Sequence, residues 1–306
     1  MPHHHGDHHE HRHSPPSATP AFAIGVGLNA AFVGIELTCG IVTGSLALVA
    51  DAGHNLSDVL GLLLAWGASY LARRRPTGRR TYGLRRTSIL AALANALLLL
   101  VAVGAIAWEA VGRLRQPEPV APTAVIFVAG IGVVVNTLTA LLFMAGRQHD
   151  LNLRGAFLHM AADAAVSLGV VAGGIVISLT GWFWVDPALS LVIAAVIAYS
   201  TWDLLWQALE LTLDSVPREI DPVLVRSYLT GLPGVAAVHD LHIWGLSTSE
   251  TALTVHLVKP DARVDDDWLH DIARELHDRF GIVHTTIQVE SGQGTQTCQL
   301  APDDVL

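Results

Sequence analysis

The sequence Asp-Ala-Gly-His-Asn-Leu-Ser-Asp at positions 51–58 lies inside a long apolar run. An ionisable side chain in the hydrocarbon of a membrane costs roughly 2.5–3.5 kcal/mol on insertion scales, so three of them in one run need a reason. His54 and Asp58 are four residues apart, which places them on one face of a helix, one turn from each other. The same pair recurs later as His159 and Asp163, again inside an apolar segment.

Two imidazoles and two carboxylates form a ligand set that a tetrahedral Zn²⁺ site can use. We therefore predict that the second and fifth apolar segments meet and hold a metal ion in mid-membrane through His54, Asp58, His159 and Asp163. Nitrogen and oxygen ligands without thiolate favour Zn²⁺, with Co²⁺, Ni²⁺, Mn²⁺ and Fe²⁺ as alternatives. Four protein ligands are typical of a closed structural site, but helices that rock could use the same four as a transit site.

Asp51 precedes His54 by three residues and lies close to the same helix face. Two roles are open for it: a partner that orients His54, or a charge in a vestibule near the outer end of the site. We do not predict it as a ligand. Glu36 is a further acid inside an apolar segment, and its role is also open.

The composition is that of a membrane protein. Of 306 residues, 51% are hydrophobic and 15% are charged, and six apolar segments approach the ~20 residues needed to cross a bilayer as a helix. These segments are 21–43, 47–71, 87–112, 121–145, 156–179 and 183–206. The first residues are polar without an apolar stretch before a cleavage site, so no signal peptide is expected.

Basic residues are unevenly distributed among the links between these segments. Seven arginines lie between Arg73 and Arg86 and two more between Arg147 and Arg154, whereas the other three links together carry two. By the positive-inside rule both termini face the cytoplasm. The arginine-rich second link is expected to anchor at lipid headgroups. Nothing indicates nucleic-acid binding, because the basic residues lie in links that flank the membrane.

Residues 1–20 contain seven of the sixteen histidines among polar residues. The segment is too polar to bury a core, so we predict that it is a disordered cytoplasmic tail. Its histidines would collect Zn²⁺ or similar ions weakly; the alternative interpretation is an expression tag, although the broken pattern is unlike one. These residues are His3, His4, His5, His8, His9, His11 and His13.

The character of the chain changes beyond about residue 213. A helix-like stretch follows Asp221, and β-branched residues predict strands at 235–244, 251–258 and 282–290, with an amphipathic helix at 265–280. This α-β-β-α-β order predicts a small two-layer α+β domain. The predicted organisation is a six-helix transmembrane domain at 21–212, an α+β cytoplasmic domain at 213–290 and a loose tail at 291–306.

Several motifs together resemble those of the cation diffusion facilitator family. They are Gly44-Ser45-Leu46-Ala47-Leu48 leading into residues 51–58, Tyr82-Gly83-Leu84, His159-Met160-Ala161-Ala162-Asp163, Asp214-Ser215-Val216-Pro217 and Val238-His239-Asp240-Leu241-His242-Ile243-Trp244. The resemblance implies a homodimer in the lipid bilayer, with six helices and a metallochaperone-like, ferredoxin-like cytoplasmic domain in each protomer. It also implies the export of divalent cations against protons. His-x-x-x-Asp in both segments is the pattern of the zinc-transporting branch, which gives the transport role to His54, Asp58, His159 and Asp163.

The resemblance further implies a regulatory metal bound between the cytoplasmic domains of two protomers. The matching residues are His239, His256 and Glu290, with Gln288 as a weaker ligand and Cys298 able to complete the shell. The alternative is that these are ordinary strand histidines.

The sequence departs from the family pattern at two places. The link at 73–86 has no acid and no histidine, so a further metal site that some relatives have there is predicted to be missing. Ser88 stands where relatives commonly carry glutamate.

We predict a proton-coupled efflux transporter in a bacterial cytoplasmic membrane, not an enzyme, that exports Zn²⁺, with Cd²⁺, Co²⁺ and Ni²⁺ as further candidate cargoes. Ligand histidines must be neutral and aspartates ionised, so protons and Zn²⁺ compete for the site, and the unperturbed pKa of histidine, near 6.5, puts this competition within cellular pH. The alternative is a non-transporting membrane metal sensor or receptor that uses the same site. A metalloprotease is disfavoured, because no His-Glu-x-x-His occurs and four protein ligands leave no position for water.

Overall fold

The computed structural model describes residues 20–72, 74–144, 151–260, 265–292 and 298. The histidines of the predicted metal collector and most of the predicted C-terminal tail lie outside these residues. Eight helices and three strands fall within the described ranges. They are α1 (Pro20–Thr43), α2 (Leu46–Ala72), α3 (Thr87–Arg115), α4 (Pro122–Met144), α5 (Leu151–Thr180), α6 (Val185–Thr212), α7 (Pro222–Thr230), β1 (Ala237–Gly245), β2 (Thr251–Val258), α8 (Asp266–Phe280) and β3 (Ile282–Glu290).

The six long helices correspond to the six predicted apolar segments. Among the described residues, four stretches are long and apolar enough to cross a membrane, and the apolar part of α1 is the shorter Asn29–Thr43. The four stretches are Thr87–Arg115, Pro122–Leu141, His159–Thr180 and Val185–Thr212. Both α5 and α6 are longer than their predicted segments, because helix propagation continues through polar residues once the apolar part is helical.

The C-terminal residues form a three-stranded sheet in the order β1-β2-β3, with α7 and α8 packed against it. β1 and β2 are antiparallel, whereas β2 and β3 are parallel and need the crossover that α8 supplies. Asp265 caps the start of α8 through the amide of Asp267, and Gly281, in the left-handed region, ends it. The predicted α-β-β-α-β order and the fold class, a multi-pass helical membrane protein with an α+β domain, are confirmed.

The chain divides into two compact units. The first comprises Met1–Val59 and Ile106–Ile193, and the second comprises Leu60–Ala105 and Ala194–Leu306. The first unit therefore contains the beginning of α2 together with α1, α4 and α5, and the second contains the α+β domain together with the beginning of α3.

Close helix contacts hold α5 against α4 in the first unit. A Cβ atom at Gly174 of α5 would lie 2.7 Å from Ile126 of α4, and one at Gly132 of α4 would lie 3.1 Å from Ser167 Oγ. Glycines at such positions let helix backbones approach closely where no hydrophobic effect drives association. These contacts fix the rotation of α5, which carries His159, Asp163 and Ser167.

The start of α2 is capped by an acid from another helix. Gly44, with a φ of 71°, turns the chain between α1 and α2. Asp186, in the first turn of α6, then accepts hydrogen bonds from Ser45 Oγ and from the Leu46 amide at 2.8 Å. A carboxylate at this position satisfies free amides and complements the helix dipole. Asp186 therefore fixes the beginning of the helix that carries His54.

We predict that Asp186→Ala destabilises the protein by about 1–3 kcal/mol, since it leaves a buried amide and hydroxyl without an acceptor. The measurement is the midpoint of thermal unfolding of the purified protein in detergent. Ser190→Ala is the matched control, because its hydroxyl is also buried but donates to the carbonyl oxygen of Asp186 within its own helix. Equal midpoints for the two variants would contradict the capping role.

Candidate metal centre

The candidate centre in the first unit is built around the carboxylate of Asp163 on α5, which is 1% exposed. Its Oδ1 atom lies 3.3 Å from His54 Nε2 of α2, and its Oδ2 atom lies 3.7 Å from His159 Nε2, one turn earlier on α5. The two imidazole rings lie edge to face with their centroids 6.0 Å apart. Three of the four predicted ligands thus come together from two helices.

The spacing of these groups suits a tetrahedral ion. Two ligand atoms that are each about 2.0–2.1 Å from a tetrahedral Zn²⁺ lie about 3.3–3.4 Å apart. The separation of 3.3 Å between His54 and Asp163 equals such an edge, and the 3.7 Å from His159 exceeds it by a few tenths of an ångström. Neutral imidazole nitrogen and ionised carboxylate oxygen are both donors that Zn²⁺ accepts. The arrangement can therefore bind a divalent cation with little side-chain movement.

The fourth predicted ligand, Asp58, lies in α2 one turn beyond His54, and its side chain is outside the described residues. Asp51 lies in the preceding turn of α2 and is 0% exposed. It accepts a hydrogen bond of 2.9 Å from Ser167 Oγ of α5. Asp51 therefore links the two helices that carry the candidate ligands, a role that its spacing from His54 alone did not reveal.

A second cluster of donor atoms lies in the α+β domain. His239, His256, Glu290 and Cys298 each offer a ligand atom, and these atoms all lie within 4.8 Å of one another. Sheet pairing produces the cluster, because His239 of β1 lies opposite His256 of β2, and Glu290 ends the adjacent β3. Glu290 lies 3.1 Å from His256 Nδ1 and 3.5 Å from His239 Nε2, and Cys298 Sγ lies 3.7 Å from His256 Nδ1.

Gln288, the weaker predicted ligand, lies beside this cluster. Its amide nitrogen donates a hydrogen bond of 3.0 Å to Glu290 Oε1. The side chains that do form the cluster combine two nitrogens, one oxygen and one sulfur, which is a donor set for Zn²⁺ rather than for Mg²⁺ or Ca²⁺.

Sequence reasoning did not identify Asp240. Its carboxylate lies near Nε2 of His256, the ring nitrogen opposite the one that faces Glu290. Asp240 has a φ of 49°, a strained backbone for a residue other than glycine, and lies where the β1–β2 register shifts between His239 and His242. The irregularity turns its carboxylate toward His256 Nε2 at 3.4 Å and His242 Nε2 at 2.8 Å. A carboxylate on the far nitrogen of a ligand histidine fixes the ring and raises its basicity.

The arginine-rich link also has partners that the sequence did not predict. In the second unit, Arg85 donates to Glu250 at 2.8 Å and Arg86 pairs with Asp214. Ser88 Oγ, where the family pattern has glutamate, accepts a hydrogen bond of 3.1 Å from the Thr248 amide. The beginning of α3 is thus tied to the turn between β1 and β2, so Ser88 acts as a hydrogen-bond acceptor for the α+β domain.

Two family models match most of the chain. The model of the cation efflux transmembrane domain matches residues 22–211, and that of the cation efflux protein cytoplasmic domain matches residues 217–292. The metal cation efflux system protein CzcD of Cupriavidus metallidurans is 38% identical over 283 residues, which cover 92% of this chain and 89% of that protein.

Other relatives are also named as metal transporters. The zinc transporter ZitB of Escherichia coli is 36% identical, with 86% of this chain and 85% of that protein covered. The cadmium, cobalt and zinc/H(+)-K(+) antiporter of Bacillus subtilis is also 36% identical, with 84% of each covered. A solved structure of the metal-bound C-terminal domain of CzcD is 40% identical over 23% of this chain and 99% of its own, with a TM-score of 0.21. The chain belongs to the cation diffusion facilitator family of cation efflux proteins.

Proposed function

We propose that the chain exports Zn²⁺ in exchange for protons through a site formed by His54, Asp58, His159 and Asp163. The observation that carries the proposal is the buried carboxylate of Asp163, which lies between two imidazoles at separations near those of tetrahedral ligands. A buried carboxylate without compensation is costly in a membrane helix, and a divalent cation supplies that compensation.

The donor set and the relatives both support zinc as the cargo. Two imidazoles and carboxylates without a thiolate favour Zn²⁺ over Cu⁺, which prefers sulfur. The relatives include a protein named as a zinc transporter and another named for cadmium, cobalt and zinc. Cd²⁺, Co²⁺ and Ni²⁺ are therefore the further cargoes that we propose.

Proton exchange follows from the chemistry of the ligands. Each histidine must lose its proton to bind Zn²⁺, and each aspartate must be ionised, so binding of the metal releases protons. When the site faces the cytoplasm it loads Zn²⁺, and when it faces outward, protons that return to His54 or His159 expel the ion. An acidic exterior then drives export. The name of the Bacillus subtilis relative, an antiporter of metal against H⁺ and K⁺, supports this coupling.

The proposed setting is the cytoplasmic membrane of a bacterium, with both termini in the cytoplasm. The arginine-rich link between α2 and α3 supports this orientation, because basic residues accumulate on the cytoplasmic side. The match of residues 217–292 to a cytoplasmic domain agrees with it.

We also propose that two chains form a homodimer and that cytoplasmic Zn²⁺ regulates it. The metal would bind His239, His256, Glu290 and Cys298, and Asp240 would orient His256. A metal that binds one arrangement of the α+β domains more tightly shifts the population toward that arrangement. The contacts of Arg85, Arg86 and Ser88 would then transmit the change to α3.

A non-transporting sensor would use the same membrane ligands. Transport is favoured over it because the relatives that cover most of the chain carry the names of efflux proteins and transporters.

We predict that Asp163→Asn reduces Zn²⁺ uptake at least about 10-fold, since loss of even a supporting group at a metal site typically costs 10–100-fold. The assay uses proteoliposomes whose interior is more acidic than the medium and contains a zinc-sensitive dye. Asp267→Asn, an exposed change of the same kind on α8, is the matched control. Undiminished uptake by Asp163→Asn would mean that the site is wrong, and binding without uptake in every protein would favour the sensor.

The cluster of His239, His256, Glu290 and Cys298 is tested by replacing its cysteine. In the full chain with Asp163→Asn, we expect Cys298→Ser to weaken the remaining Zn²⁺ binding at least about 10-fold in a chelator competition. The same change should abolish the sulfur-to-metal charge-transfer absorption of the Co²⁺-loaded protein. Cys39→Ser, which alters the other cysteine, is the control. A charge-transfer band that survives Cys298→Ser would exclude Cys298 as a ligand.

A further inference from the structure

Two further acids lie beside the candidate metal centre, and the proposed transport step does not use them. Glu36 of α1 and Asp51 of α2 are both 0% exposed and lie within hydrogen-bonding reach of each other. Asn55 Nδ2 of α2 donates to Glu36 Oε2 at 3.4 Å, and Ser167 Oγ of α5 donates to Asp51 Oδ2 at 2.9 Å. One oxygen of each carboxyl group is therefore satisfied by a neutral donor.

The other oxygen of each group has no hydrogen-bond donor among the described residues. These oxygens are Glu36 Oε1 and Asp51 Oδ1, and both are buried, which is unfavourable for a neutral polar atom and more so for a charged one. The charged groups near Asp51 are His54 of α2 and Asp163 of α5. Among the described residues, no ion pair joins Glu36 or Asp51 to an arginine or a lysine. The pair therefore lacks a compensating cation of its own.

Two adjoining carboxyl groups that are shielded from water do not both ionise, because the second charge would face both desolvation and the repulsion of the first. A proton retained by one of them can be shared with the other, as in carboxyl pairs that titrate as a unit. Such a proton also supplies the missing donor at the unpartnered oxygens. We propose that Glu36 carries a proton that is exchanged for the metal ion, with Asp51 as the partner that shares it.

The proton is preferred over a second metal ion because of the groups that surround the pair. Ser167 Oγ and Asn55 Nδ2 donate hydrogen bonds to one oxygen of each carboxyl group. A metal ion would need several further oxygen ligands, and Asn55 presents its amide nitrogen to the pair instead. A proton needs no rearrangement.

The position of the pair explains how it would respond to the cargo. Asp51 is three residues before His54 on α2, and its hydrogen-bond donor Ser167 is one turn beyond Asp163 on α5. Asp51 is therefore attached to the same two helices as the metal centre, and Glu36 of α1 adjoins it. A divalent cation at His54 and Asp163 repels a nearby proton through a medium of low dielectric constant. Metal loading therefore favours release of the proton from Glu36, and return of the proton favours release of the metal.

This inference rests on the proposed antiport, and the experiment separates the two. Purified protein is reconstituted into liposomes that contain a pH dye and a zinc dye, so that protons and Zn²⁺ are counted in the same sample. Glu36→Gln keeps the shape of the protonated acid but has no acidic proton to release. We expect it to take up Zn²⁺ along a zinc gradient while the number of protons exchanged per ion falls by one. Glu36→Asp should restore that number.

An unchanged proton count in Glu36→Gln would overturn the proposal while leaving antiport intact. A wild-type protein that moves Zn²⁺ without protons would overturn both. A loss of one bound Zn²⁺ per chain in Glu36→Gln, measured by equilibrium titration, would instead make Glu36 a metal ligand and also contradict the proposal.

A measurement on the wild-type protein keeps the proposal testable if Glu36→Gln does not fold. Infrared spectra at neutral pH should contain the carbonyl band of an un-ionised carboxylic acid, which disappears on addition of Zn²⁺ and shifts in frequency in Glu36→Asp. Absence of this band would overturn the proposal.

Discussion

The burial of carboxyl groups among apolar helices is the constraint on which the rest of the first unit depends. Asp51, Asp163, Asp186 and Glu36 are at most 2% exposed, and an ionised carboxylate is costly there unless it is compensated. Asp186 obtains compensation from the free amide at the start of α2, and Asp163 faces two imidazoles. Glu36 and Asp51 adjoin each other, and each accepts a hydrogen bond from a neutral donor. Position on the helices thus decides which acid is structural, which can bind a cation and which can hold a proton.

The same constraint connects stability to transport. A site whose carboxylate needs a positive charge can receive that charge from Zn²⁺ or from protons on the adjoining imidazoles, and the two alternatives exclude each other. Because α4 and α5 pack through glycine contacts and α2 is anchored by Asp186, the proposed ligands of α2 and α5 belong to firmly placed helices. Movement of these helices relative to each other would open or close the site without rebuilding it.

Much of this fold follows from local patterns in the sequence. Apolar length predicts the long helices, and β-branched alternation predicts β1, β2 and β3, since both signals depend only on neighbouring residues. The repeated His-x-x-x-Asp pattern identified His54, His159 and Asp163, which the structure brings together. Partners that are distant in the chain could not be found this way. The contact of Ser88 with Thr248 and the turned carboxylate of Asp240 depend on tertiary packing and on a strand irregularity, which local periodicity does not encode.

The central claim, that a metal ion binds between α2 and α5, is tested most directly by X-ray absorption at the zinc edge. The sample is the full chain with His239→Ala and Cys298→Ser, loaded with one Zn²⁺ per chain, so that the cluster in the α+β domain does not contribute and the weak histidines of residues 1–20 are outcompeted. The account predicts a four-coordinate shell of nitrogen and oxygen at about 2.0–2.1 Å with two imidazoles and no sulfur. In His159→Ala the scattering of one imidazole should disappear. A shell that His159→Ala leaves unchanged would contradict the account.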